Sequence, residues 1–203
     1  MQKLIVIILC FLCTACAGLA IPLDPINLSS ADSLNFEFVD LRPEKEKVFR
    51  PLKRGEGPPC HFYGDKEFDP DRILALKDAL VEHLKQKLNG QKIEINSFEF
   101  SACIPGMLKG QDVGAMFGLL GVALANISYE HDIFICSLEA TVNGRLISVV
   151  DSEPITGAFV DSSSTKKEGN RLMQRIFDKF AHQVEITLEK NVLENKSIKE
   201  GPS

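Results

Sequence analysis

Two periods alternate along this chain. Leu34-Asn35-Phe36-Glu37-Phe38-Val39 alternates as a half-buried strand does, and Pro43 deflects the pairing beyond it. Ile73, Leu76, Leu80, Leu84 and Leu88 then recur every three or four residues, with Leu74 and Val81 on the same broad face, which predicts a helix. Asp69 is its expected N-cap, Pro70 its first helical residue and Asn89-Gly90 its close. Period two returns over Lys92–Cys103, where Ile93 and Ile95 have one parity and Phe98 and Phe100 the other. A bulge at Asn96-Ser97 is therefore expected.

The clearest hairpin is Ile133–Val142, Asn143-Gly144 and Arg145–Asp151, because Asn-Gly favours the two-residue type I′ turn. That turn pairs Ala140 with Ile147 and Leu138 with Val149 on one apolar face. A short strand over Ile155–Val160 is also expected. Thr165-Lys166-Lys167-Glu168 reads as a capping box before a long helix carrying Leu172, Ile176, Phe180, Val184 and Leu188, flanked by Met173, Phe177 and Ala181. The predicted class is α+β, a mainly antiparallel sheet covered on one face by two amphipathic helices.

Between the strand ending at Cys103 and the hairpin, Val113–Ala125 carries no charge. Gly114, Gly118, Gly121 and Ala125 fall on one stripe of an additional short apolar helix. Small residues so placed admit a close neighbouring backbone. The neighbour is the sheet of the same domain, a partner surface or a membrane, and thirteen apolar residues are too few to span a bilayer alone.

The first sixteen residues fit neither period. Lys3 precedes the unbroken apolar run Leu4–Leu12, the small residues Thr14 and Ala15 follow, and Cys16 comes next. A charged start, a short apolar core and small residues form a secretory signal. Leu12-Cys13-Thr14-Ala15-Cys16 resembles the lipobox of bacterial lipoproteins, which implies cleavage before Cys16 and acylation of its thiol. Cys13 departs from the aliphatic residue usual at that place. The expected organisation is a signal over 1–15, a lipidated Cys16 with a tether over 16–33, one α+β domain over 34–194 and a tail over 195–203. The alternative is an ordinary signal cut after Ala17 or Ala20 and a soluble secreted product, for which the sequons at Asn27, Asn126 and Asn195 would be suited.

Composition changes this picture in three places. A net charge of −5 and the absence of tryptophan argue against a nucleic-acid partner. Three cysteines remain beyond Cys16, and a Cys60–Cys103 bridge with Cys136 buried and inert is the expected arrangement in an oxidising compartment. Lys45, Lys47, Arg50, Lys53 and Arg54 form a basic cluster in an acidic chain, within a long irregular stretch over 44–68. It is either a docking loop for an acidic partner or head groups, or a solvated excursion enclosing a short strand near Val48–Leu52.

Signatures for a catalytic elbow, a zinc helix, a P-loop or a dinucleotide fold are missing, and the four histidines are scattered. Glu130-His131-Asp132 is too local to hold a cation, since adjacent strand residues point to opposite faces. The expectation is a protein without enzymatic activity, cofactor or metal. An acylatable cysteine, a short linker, a strand ending in Asp40-x-Arg42-Pro43 and a loop leading to a leucine-rich helix resemble small bacterial lipoproteins of the YajG type. The resemblance covers roughly residues 16–100 and implies location and fold, with the glycine-rich insert and the mature cysteines departing from it. Ala17 in place of aspartate after Cys16 implies, by the same analogy, sorting to the outer membrane. The function expected is that of a lipid-anchored, periplasm-facing accessory or assembly subunit of an envelope complex. Loop 42–54 and stripe 114–125 are its candidate contacts. The competing expectations are a lipid- or glycan-binding module lined by 107–125 and a hydrolase using His131 or His61.

Overall fold

The computed structural model describes residues 21–22, 34–51, 60–103, 132–155 and 163–199. Its strands are β1 (Ile21–Pro22), β2 (Glu37–Asp40), β3 (Cys60–Tyr63), β4 (Phe68–Asp69), β5 (Lys92–Cys103), β6 (Ile133–Val142) and β7 (Arg145–Pro154). Two α-helices, α1 (Arg72–Leu84) and α2 (Ser163–Lys199), complete it, with short 3-10 turns at Glu44–Glu46, Asp65–Glu67 and Lys85–Leu88.

Strand β5 is the spine. It pairs antiparallel with β6 along its length, β6 pairs antiparallel with β7, and its other edge takes β2 in parallel and β3 antiparallel. The parallel pair arises because α1 lies between β2 and β5 in the chain and returns it to the starting end. The sheet is thus mixed but mainly antiparallel, and the fold is α+β as expected.

The parity change in β5 is resolved by a register shift between Ile95 and Ser97. One extra residue turns Phe98, Phe100 and Ala102 to the same side as Ile93 and Ile95. On that side they meet Phe134, Cys136, Leu138, Ala140 and Val142 of β6 and the apolar faces of both helices, forming the main core. The hairpin register is the expected one, Ala140 opposite Ile147 and Leu138 opposite Val149. Asn143 and Gly144 both take positive φ, as a type I′ turn requires. A second, small cluster of Cys60, Cys103, Ile133 and Ile135 lies outside the main core.

Several expectations are corrected. The N-cap of α1 is Asp71, whose Oδ1 accepts from the Ile73 N–H at 2.7 Å, because Asp69 is taken up in β4 opposite Pro22. Leu74 is 57 % exposed although Val81, two turns on and at nearly the same angle, is buried. Helix α2 is tied to the end of α1 by His83 and Asp178, and to the 3-10 turn after it by Lys87 and Glu185. The α-helix itself ends at Leu84, and the 3-10 turn carries the chain on to Asn89-Gly90. Helix α2 starts at Ser163, so Thr165 and Glu168 are buried within it rather than capping it. Its last turns include 195–199, the first part of the expected tail.

The largest correction concerns the expected tether. Ile21 and Pro22 pair in parallel with Phe68 and Asp69, and the Ile21 side chain is buried in the main core. Its Cδ1 and Cγ2 pack beside Gly169 of α2, at 3.4 Å from where a Cβ there would stand. The expected strand near Val48–Leu52 is replaced by a single bridge between Arg50 and Phe62, and Cys60–Tyr63, expected as loop, is a strand. Of the expected strand 155–160 only Ile155 is described, without strand pairing, and the expected apolar helix 113–125 lies outside the described residues.

Candidate functional site

The basic loop after β2 is held from beneath by buried charge. Arg42 folds back so that Nε and Nη2 donate to the two oxygens of Asp40, while Nη1 and Nη2 donate to those of Asp65 at 2.9 Å each. Arg72, the first residue of α1, also donates from Nε to Asp65 Oδ1, and its Nη2 donates to the Glu46 carbonyl. Both arginine side chains are almost wholly out of water, at 1 % and 0 % exposure. A guanidinium is tolerated there because it is paired and its plane packs on rings, Arg72 lying over Phe98 and Phe68. Its Nη1 faces those rings and finds no hydrogen-bond partner among the described residues.

Glu46 ties the loop to the sheet. Its Oε2 accepts from the Phe98 N–H at 2.9 Å and the Ser97 hydroxyl at 3.1 Å, satisfying the backbone that the β5 bulge releases. The loop also lies on Gly64, where a Cβ would stand 2.5 Å from the Val48 carbonyl carbon. Asp65 N–H donates to the Lys47 carbonyl, and Arg50 and Phe62 exchange both backbone bonds. Loop 44–51 is a shaped platform rather than a loose excursion.

The candidate contacts are therefore not equivalent. Lys45 is exposed; Lys47 donates to Glu44 at 2.8 Å and lies 3.8 Å from Asp40; Arg50 pairs with Glu99 at 2.8 Å and stacks on Phe62 at 4.1 Å. Lys53, Arg54, Gly114, Gly118, Gly121, Ala125 and Cys16 lie outside the described residues. Cys60 and Cys103 are opposite each other in the β3–β5 ladder and are joined by a disulfide, and Cys136 is a buried free thiol. The platform's outer surface is apolar at its tip: Val48 is 56 % and Phe49 44 % exposed. The Phe49 ring stacks on His61 and meets the edge of Tyr63.

The electrostatics follow from this packing. Burial opposes ionisation of Asp40, but the hydrogen bonds from Arg42 outweigh it and its pKa is lowered. Burial likewise works against charge on Arg42, yet Asp40 and Asp65 raise its pKa. Burial raises Glu99, against the pull of Arg50. Burial, helped by the Asp151 charge and against the pull of Arg72, pushes the Cys136 thiol far up, so it is not a nucleophile at neutral pH. At the far side of the sheet Asp151 accepts from Arg175 and Lys179, and Glu153 pairs with Arg171 and Arg175, pinning β7 to α2. No group of three metal-ligating side chains exists among the described residues, and His131 lies outside them.

No known family, curated protein or solved structure matches this chain. Its own residues are what remain to argue from. Asp65, Arg72, Glu46 and Phe62 organise the platform, and nothing in the sequence marks any of them as a site residue. Only the Asp40-x-Arg42-Pro43 triplet hinted at the cluster, since an arginine two residues after an aspartate can close on it. What the arrangement offers is a fixed surface, because Asp40 and Asp65 are occupied by arginines and Glu46 by the Phe98 N–H and the Ser97 hydroxyl.

Proposed function

We propose that this chain is a lipid-anchored protein of the bacterial outer membrane, facing the periplasm, that serves an envelope complex as a non-catalytic accessory or assembly subunit. The observation that carries the proposal is the run from Lys3 through Leu4–Leu12 to Thr14-Ala15-Cys16, an export signal ending in an acylatable cysteine. Ala17 after that cysteine supports the outer rather than the inner membrane by resemblance. The Cys60–Cys103 disulfide supports an oxidising compartment such as the periplasm. No helix among the described residues is long and apolar enough to cross a membrane, and an acylated cysteine supplies an anchor that needs none. The YajG-type layout adds support for the same location.

The test is intact-mass analysis of the protein from a membrane extract, beside the Cys16→Ala variant. The proposal expects a chain starting at Cys16 with added acyl mass, and release of the variant from the membrane fraction. A product starting at Ile21 and free of membranes would overturn it.

A further inference from the structure

The burial of Ile21 sets how far the folded body can stand from an anchor at Cys16. Four residues lie between the two, and a fully extended chain covers no more than about 18 Å over those five steps. Were the body to begin at Leu34, the same limit would be about 60 Å. The seat of Ile21 therefore decides which end of the domain approaches the anchor.

That end carries the platform. Ile21 lies beside Phe68 in the β1–β4 pair, Phe68 meets Tyr63 edge-on at 6.5 Å, and Tyr63 meets Phe49 at 6.0 Å. Phe49 is thus two ring contacts from the residue that seats the anchor segment, and it and Val48 point outward from a backbone fixed on Gly64. Charge agrees. Of the basic side chains described there, Arg42 is buried on Asp40 and Asp65 and Arg50 is paired with Glu99, which leaves the exposed Lys45 and the partly exposed Lys47 beside the tip. Apolar tips flanked by lysine suit an interface of acyl chains and anionic head groups.

Resting on the lipid-anchored reading above, we infer that Val48 and Phe49, flanked by Lys45 and Lys47, are a second contact with the bilayer. Together with the anchor they hold the domain in one orientation, with the β3/β4 end towards the lipid and the Asn143-Gly144 turn away from it. The occupant of this surface is lipid because the anchor places lipid within reach of it.

The experiment uses the full-length acylated protein in vesicles of phosphatidylethanolamine and phosphatidylglycerol containing a fraction of spin-labelled lipid. A polarity-sensitive fluorophore is placed on Val48→Cys or, as the distant control, on Leu146→Cys. The native disulfide and the buried Cys136 leave each variant one reactive thiol. Leu146 is 68 % exposed and lies five positions along β7 from Asp151, which is at the level of Phe100, so about 16 Å separates the two levels.

The inference expects at least about threefold stronger lipid quenching at 48 than at 146, as for a group seated at the head-group boundary. Lengthening the segment between Cys16 and Ile21 by a flexible insert should reduce that difference without disturbing the fold. Equal quenching at both sites in a protein whose intact mass shows acylation would overturn the inference and leave the anchored reading standing. Protection of residue 48 in native membranes but not in these vesicles would overturn it in favour of a protein partner. An unacylated, freely soluble product would overturn both, and the mass measurement identifies that case.

Discussion

Asp65 is the residue on which the platform turns, and Asp65→Asn tests whether buried charge holds it. In the native fold Asp65 takes two hydrogen bonds from Arg42 and one from Arg72. Its amide replacement has no charge and keeps one acceptor oxygen, so both arginines lose their shared counter-ion. The consequences differ. Arg42 retains both oxygens of Asp40, whereas Arg72, with no exposed side-chain surface, is left with uncharged acceptors alone, the Glu46 carbonyl and the one amide oxygen. Breaking a buried pair from one side costs about 3–5 kcal/mol, and the surviving Asp40 contact together with the partial exposure of Asp65 place this case near about 3.

For a domain of this size such a loss lowers the thermal midpoint by about 6–12 °C. Urea and thermal denaturation of the two proteins measure it. Asp65→Asn/Arg72→Met removes the orphaned cation as well, and should recover at least about 1 kcal/mol relative to the sum of the single losses. Lys47→Ala, at a surface pair, should change stability by less than about 1 kcal/mol. A loss under about 1 kcal/mol in Asp65→Asn, or strict additivity in the double variant, would refute the argument that the two buried arginines depend on this carboxylate.

Two other outcomes follow from the same structure. Cys60→Ser/Cys103→Ser removes a cross-link spanning 43 residues, which the chain-entropy account values at about 4 kcal/mol; urea midpoints of the variant and the oxidised parent check it, and near-equality would show that the bridge constrains little. Asp40 and Asp151 have folded pKa values below their ordinary ones, so the stability they contribute is complete above the unfolded carboxylate range and is lost as pH falls below that range and through their lower folded values. Glu99, raised by burial, works in the opposite direction, favouring the fold at low pH and losing that contribution as pH rises through its folded value. The thermal midpoint should still fall between about pH 5 and pH 3, less steeply in Asp40→Asn/Asp151→Asn, and an unchanged slope would rule out these two carboxylates as the source.

Where apolar side chains alternate regularly, the sequence was enough to read the fold. The parity change across Ile95 and Phe98 located the bulge, and Asn143-Gly144 fixed the hairpin register, because a one-residue slip would have turned Leu138 and Ala140 to the wrong face. The candidate site was less legible. Arg42 and Arg72 look like solvated residues in a charged stretch, and only the folded chain shows that they share Asp65, 23 residues from one and 7 from the other. Cys60–Tyr63 follows Pro58-Pro59, which reads as loop, yet its pairing is dictated by β5 rather than by local preference. Asp69 reads as the cap from the sequence, but its pairing with the distant Ile21–Pro22 takes it into a strand and leaves Asp71 to cap the helix.

That pairing also changes what residues 17–33 can be. Two prolines and several small residues read as a tether, but with Ile21 seated and Leu34 packed on the core, the eleven residues 23–33 join two fixed points. Closing a loop of that length costs about 2 kcal/mol beyond a constant, and burying one isoleucine side chain returns about 1.5–3 kcal/mol. The two act in opposite directions, and the backbone bonds of β1–β4 add to the side of the seat. On the proposed lipid-anchored reading, the outward Val48 and Phe49 on their fixed backbone would add a second contact to the one that the Ile21 seat transmits.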